Sequence, residues 1–254
     1  MAKCPSIADI KAGITRALKS DKKEVILASD LSTFAYCPIQ LKMRIDGEAE
    51  VTKAMKKGTD THAAIQEALT SGLDFTPATL QEIIEGLNTG TTLLKPDEFY
   101  VYCGYRKPYY ILGKPDLFFS KAGAPWIVEL KTGRKKPKVH DGDRFQILSY
   151  LYMARQMGVK AATGLVLITP YSKEEISEKL CGIQAKGEWV TKLESLLSDS
   201  DLFTAREQVV LDQQGEAKLN EVLSRLIRAI EEDKWDKPPE WACRSCKQNA
   251  CKAR

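Results

Sequence analysis

A chain of 254 residues, 43% of them apolar, is long enough for one large domain or two small ones and can bury a real core. Its net charge of +4, from 38 basic against 34 acidic residues, does not by itself announce a nucleic-acid binder, so local clustering has to carry any such function. The longest apolar run, GLVLITP at 164–170, is too short to cross a bilayer and the start MAKCPSIADIK is not a signal peptide, which predicts a cytosolic protein with no membrane partner.

SIADIKAGITRALKS predicts a first helix with an apolar stripe of Ile7, Ile10, Ile14 and Leu18. LASDLSTFAYCPIQLKMR predicts a short helix capped by Ser29 or Asp30, with Pro38 directly after Cys37. A longer helix is expected from GTDTHAAIQEALTSG, capped by Thr59 or Asp60 and closed by Gly72, with His62 in its first turn. From about Asp97 the pattern changes to period two. EFYVYCGY, YYILGKPDLFF and WIVEL read as a strand meander, the last two separated by the turn SKAGAP. RFQILSYLYMARQMG is spaced as a helix, AATGLVLITPY as a buried strand, and EWVTKLESLLSD and AKLNEVLSRLIRAIEED as two further helices. No internal repeat or low-complexity segment interrupts the chain. This order predicts an α/β (α+β) protein with a central mixed sheet flanked by helices.

The hairpin around SKAGAP holds the chemistry. If its turn closes on Ala122 and Gly123, Asp116 lands opposite Glu129, their Cβ atoms about 4.5–5.5 Å apart, a destabilising arrangement unless something neutralises it. A divalent cation does so, and Lys131 falls on the same face by the period-two rule. Hard oxygen ligands suit Mg²⁺ or Mn²⁺. Such an ion acidifies bound water and offsets charge building on a phosphorane-like transition state, while Lys131 orients or deprotonates that water. The implied reaction is phosphodiester hydrolysis; the competing reading is an ordinary salt bridge of Glu129 with Lys131 or Lys114.

KPD at 114–116 followed by VELKTG at 128–133 resembles the PD-(D/E)XK nuclease signature, and His62 upstream with QILSY downstream resembles its RecB-type branch, over roughly residues 29–251. The cysteines resemble those of the CRISPR-associated RecB-like exonucleases and the iron-sulfur nuclease domain of AddB. The resemblance implies a restriction-endonuclease-like nuclease core. It implies that His62, Asp116, Glu129 and the backbone carbonyl of Leu130 ligate the catalytic metal, that Lys131 activates water, and that Gln146 and Tyr150 steady Lys131 and the DNA backbone. It also implies a helical extension at residues 1–28 and a single nuclease domain at 29–254, in which 29–50 and 235–254 form a cluster subregion.

Seven cysteines in a cytosolic chain are not a disulfide framework. Cys243, Cys246 and Cys251 supply three closely spaced thiolates, too few for a tetrathiolate site. The resemblance implies Cys37 as the fourth ligand and a [4Fe-4S] cluster. A [2Fe-2S] cluster and zinc stay open, since both accept four thiolates and four residues, KQNA, lie between the last two cysteines where the resembling families have five. Cys103, on an alternating strand, is expected in the core. KTGRKKPK carries five basic residues in eight, and Lys135, Lys136 and Lys138 there are candidates for phosphate contact without base reading. Tyr105, Tyr109 and Tyr110 are expected to pack the sheet rather than stack on bases.

Together these features predict a metal-dependent DNA exonuclease acting on single-stranded DNA ends. The resemblance adds 5′-to-3′ polarity and a setting in CRISPR spacer acquisition with integrase proteins as partners, or in viral or recombination DNA processing. The alternatives are a catalytically silent iron-sulfur or zinc nucleic-acid-binding module and a redox- or zinc-sensing regulator.

Overall fold

The computed structural model describes residues 6–19, 23–49, 53–70, 78–94, 99–132, 138–160, 163–172 and 197–238, with 174, 175, 178, 193, 195 and 240 besides. Helix α1 (Ile7–Lys19) leads into strand β1 (Val25–Leu27), helices α2 (Ala28–Tyr36), α3 (Pro38–Ile45), α4 (Lys53–Thr70) and α5 (Leu80–Thr89), and strands β2 (Thr92–Leu93), β3 (Val101–Gly104) and β4 (Tyr110–Gly113). Strands β5 (Leu117–Lys121) and β6 (Ala124–Thr132), helix α6 (Asp141–Gln156), strands β7 (Thr163–Thr169) and β8 (Ala205–Val210) and helix α7 (Gln213–Glu232) follow.

The expected mixed sheet flanked by helices is present, divided in two. A three-stranded sheet has the order β1-β4-β3, and a five-stranded sheet the order β2-β5-β6-β7-β8. Each mixes parallel and antiparallel pairs, β1 running parallel to β4 and β6 parallel to β7. The expected meander is thus corrected: the run YYILGKPDLFF breaks at Lys114–Asp116 and passes from one sheet to the other.

Alternation along β5 and β6 builds two cores. Phe118 and Ile127 face α6 and α7 with the larger cluster, while Leu117, Phe119, Val128 and Leu130 face the other side with Ile65 of α4. Ile10 and Ala17 of α1 belong to the larger cluster, whereas Leu18, expected in the apolar stripe, is 59% exposed. Helix α4 begins at Lys53 rather than at the expected Thr59 or Asp60, so His62 lies in its middle; the cost of a glycine inside the helix, about 1 kcal/mol, is met by packing such as that of the fully buried Ile65. Helix α2 begins at Ala28, because the Asp30 carboxylate reaches back to cap the Leu27 amide at 2.7 Å instead of serving as N-cap itself.

Three contacts fix the start of helix α6, one of them to the sheet. Its first turn passes so close to α2 that a Cβ on Gly142 would lie 2.7 Å from the Ser32 carbonyl oxygen. Asp143 accepts from the His140 amide at 2.9 Å, and Arg144 makes a two-pronged bond to Glu207 of β8 at 2.5 and 2.8 Å. The packing roles expected for the aromatic residues are found: Tyr109 is buried, Tyr110 stacks on Tyr102 with centroids 6.0 Å apart, and Tyr105 donates to Asn220 at 2.8 Å. Cys103 is core, and burial pushes its thiol pKa up to about 12.

Candidate active site

The β5–β6 turn closes as the sequence predicts. Ala122 and Gly123 both take positive φ, 49° and 75°, the conformation of a two-residue type I′ hairpin turn. Leu117 pairs with Val128, so the same register sets Asp116 against Glu129 at the end of the hairpin. Asp116 Oδ2 accepts from the Leu130 amide at 2.7 Å, which holds its carboxylate across the strand boundary beside Glu129.

Two helices reach this point from opposite faces of the sheet. From α4, His62 Nδ1 stands 3.2 Å from Asp116 Oδ1, and Gln66, one turn on, donates to the Asp116 carbonyl at 2.9 Å. From α6, Gln146 links the remaining groups. Its amide donates to Glu129 Oε1 at 2.7 Å and to the Tyr150 hydroxyl at 3.0 Å, and its carbonyl oxygen accepts from Lys131 Nζ at 2.9 Å. Lys131 also bonds Glu129 Oε1 at 2.8 Å, and Tyr150 donates to the Lys114 carbonyl at 3.2 Å. Gly113 makes this possible, since a Cβ there would lie 2.4 Å from the Tyr150 ring.

The electrostatics follow from burial. Burial pushes the Glu129 carboxyl up to about 7, against the pull of Lys131. Burial acts against the Lys131 ammonium, but Glu129, with Asp143 and Asp116 behind it, leaves its pKa raised above that of an ordinary lysine. Burial also opposes the His62 imidazolium, and Asp116 with Glu129 behind it leaves that pKa raised too. Tyr150 is pushed well above its usual value by burial, so its hydroxyl stays a donor.

The donors suit a hard divalent cation: two carboxylates, an imidazole and a carbonyl, and a bound cation would favour the ionised form of Glu129 that burial opposes. Here the ligands are bonded to neighbours instead of converging, His62 with Asp116 and Glu129 with Lys131. Among the described residues no group of three or more His, Cys, Asp or Glu side chains stands arranged to hold an ion. A cavity of about 310 Å³ is lined by Asp116, Glu129, Gln146 and Tyr150 together with Tyr100 and Lys114, the Lys114 ammonium 5.6 Å from the centre of the Tyr100 ring.

Two hydrogen-bonded groups thus gather six of the sequence-predicted residues: His62 with Asp116, and Glu129 with Lys131, Gln146 and Tyr150. Leu130 contributes its backbone, its side chain being fully buried on the far face. Lys138 is exposed before α6, while Lys135 and Lys136 lie outside the described residues. Cys37 is buried at the start of α3, its sulfur accepting from the Gln40 amide at 3.4 Å; Cys243, Cys246 and Cys251 lie outside the described residues. Gln66 and Tyr100 were missed by the sequence reading. The i, i+4 spacing of Gln66 from His62 was available as a signal; nothing local marked Tyr100.

The sequence model of the PD-(D/E)XK nuclease superfamily matches residues 74–251. No curated protein sequence matches the chain. Among solved structures, that of SSO0001 is 14% identical, covering 93% of this chain and 90% of its own, with a TM-score of 0.47. An alkaline exonuclease from Laribacter hongkongensis is 12% identical, covering 86% of this chain and 93% of its own, with a TM-score of 0.42.

Proposed function

The chain belongs to the PD-(D/E)XK nuclease superfamily, whose match spans more than half its length, and from that premise we propose that it is a Mg²⁺- or Mn²⁺-dependent deoxyribonuclease that shortens single-stranded DNA from its ends, 5′ to 3′. The observation that supports this most strongly is the juxtaposition of Asp116 and Glu129 across one hairpin, with His62 bonded to the first and Lys131 to the second.

His62, Asp116, Glu129 and the Leu130 carbonyl would hold the ion. When bound, it acidifies a water and offsets charge on the phosphate under attack. The remaining work belongs to the chain. Lys131, kept cationic by Glu129, donates to a non-bridging phosphate oxygen and orients the attacking water. Gln146 fixes the Lys131 ammonium through its carbonyl oxygen and Glu129 through its amide, and the Tyr150 hydroxyl fixes Gln146 in turn. Lys138, with Lys135 and Lys136, attracts the DNA backbone without reading sequence.

An iron-sulfur cluster on Cys37, Cys243, Cys246 and Cys251 is part of the same reading. Its support is the path of the chain after α7: Asp233 bonds Lys42 of α3 at 2.8 Å, Trp235 meets Phe34 of α2 edge-on at 6.4 Å, and Pro238 is buried. The chain thus runs beside the α2–α3 junction, where Cys37 sits, five residues before Cys243. Polarity, the [4Fe-4S] assignment and integrase proteins as partners rest on the resemblance to CRISPR-associated exonucleases.

The test is cleavage of single-stranded DNA labelled at either end, with Mn²⁺. The wild type should release short products progressively from the 5′ end, and Lys131→Ala should be at least about 100-fold slower. Equal rates would remove Lys131 from the mechanism, and an inert wild type would overturn the reading.

A further inference from the structure

A second cavity, of about 380 Å³, lies next to the active-site cavity. The two share the Leu27–Leu112 pair, neighbours in the parallel β1–β4 register, as a common wall. The second cavity is lined by Ala17 and Leu18 of α1, Val25 and Leu27 of β1, and Ile45 of α3. Among the described residues its polar groups are Asp30 and Arg44, which face each other as an ion pair. The second Asp30 oxygen is taken by the Leu27 amide.

Three features need an occupant. Leu18 and Leu27, 59% and 39% exposed, are two of the three large apolar side chains that stand out from the described surface, and both line this one cavity. Its volume is that of a small-molecule site rather than a packing gap, since such pockets run to about 300–1,000 Å³. At its polar end the Arg44 guanidinium, with five N–H donors of which Asp30 takes only part, gives a polar edge to an otherwise aliphatic box. A flat, apolar-faced ring with a polar rim fits that description, and the adjoining phosphate chemistry says which ring.

We propose that this cavity is a nucleobase subsite: it takes the unpaired base of a nucleotide next to the phosphate held at Asp116 and Glu129, with the Leu27–Leu112 wall as the step between backbone and base. The proposal rests on the nuclease reading and adds to it a reason for preferring single strands, because a base enters the box only when free of its partner and its stack. Every described lining residue except Leu112 precedes residue 74, where the superfamily match begins.

The test is binding of fluorescein-labelled single-stranded oligonucleotides in Ca²⁺, followed by anisotropy, with one abasic position moved along the strand. The wild type should bind about tenfold more weakly when the abasic position falls at one particular nucleotide. Ala17→Phe, which fills the box, should weaken the intact strand by the same factor and leave the abasic strand unchanged. Leu18→Ser, at an exposed position the fold tolerates, should act in the same direction by severalfold. Equal binding of intact and abasic strands by the wild type overturns the subsite, as does a Leu18→Ser variant that still discriminates fully. Cleavage in Mn²⁺ without base discrimination overturns the subsite alone; discrimination without cleavage overturns the nuclease reading alone.

Discussion

Glu129 is a carboxylate held out of water, and its cost can be read as a pH dependence of stability. Its folded-state pKa of about 7 stands against an ordinary 4.5. Below pH 4.5 the group is protonated in both folded and unfolded chains and contributes no difference. Between 4.5 and 7 the folded protein holds a proton that the unfolded chain has released, so stability falls as pH rises, by about 1.4 kcal/mol per pH unit. Above 7 the loss levels off at about 3 kcal/mol, roughly 10 °C in melting temperature for a chain of this size. His62, whose pKa is also raised, adds a loss of the same sign, but only as pH rises through and beyond 6.5. Thermal melts in chelator from pH 4.5 to 8 should therefore show a decline in the wild type whose lower part, from 4.5 to 6.5, is absent in Glu129→Gln. Parallel pH profiles for the two proteins would refute the claim that burial, only partly offset by Lys131, holds the Glu129 carboxyl up in the ion-free protein.

Two further outcomes follow from packing and from the cysteines. Gly113→Ala puts a methyl into the Tyr150 ring and should lower cleavage severalfold and stability by about 1–3 kcal/mol; unchanged activity would show that Tyr150 does not need its place. Purified protein should contain iron and sulfide in equal amounts with a visible absorbance band, both lost in Cys37→Ser; zinc without sulfide would replace the cluster with a structural zinc.

The site was legible because it rests on local rules. One tight turn at Ala122–Gly123 fixes the register, the register sets Asp116 against Glu129, and period two adds Lys131. His62, Gln146 and Tyr150 came only from the resemblance, since no local pattern says that α4 and α6 meet at the hairpin's end. The division into two sheets was illegible for the same reason. YYILGKPDLFF is one apolar run in sequence, yet β4 ends at Gly113, against the Tyr150 ring of α6, and β5 begins at Leu117 in the other sheet. Strand β1 is three residues long, too short for periodicity, and β8, reading AREQVV, is an edge strand whose polar residues hide its pairing with β7. Helix α5 did carry a signal, the capping box from Thr79 to Glu82, which the hydrophobic pattern alone did not bring out.

The central claim is that the β5–β6 hairpin brings two acids together to hold a divalent cation. Mn²⁺ binding to ion-free protein, followed by its paramagnetic resonance signal, tests this most directly. The wild type should take up one tightly held Mn²⁺ with release of protons at neutral pH, and Asp116→Asn should bind it at least about tenfold more weakly. Mn²⁺ affinity unchanged in Asp116→Asn and in Glu129→Gln would contradict the account.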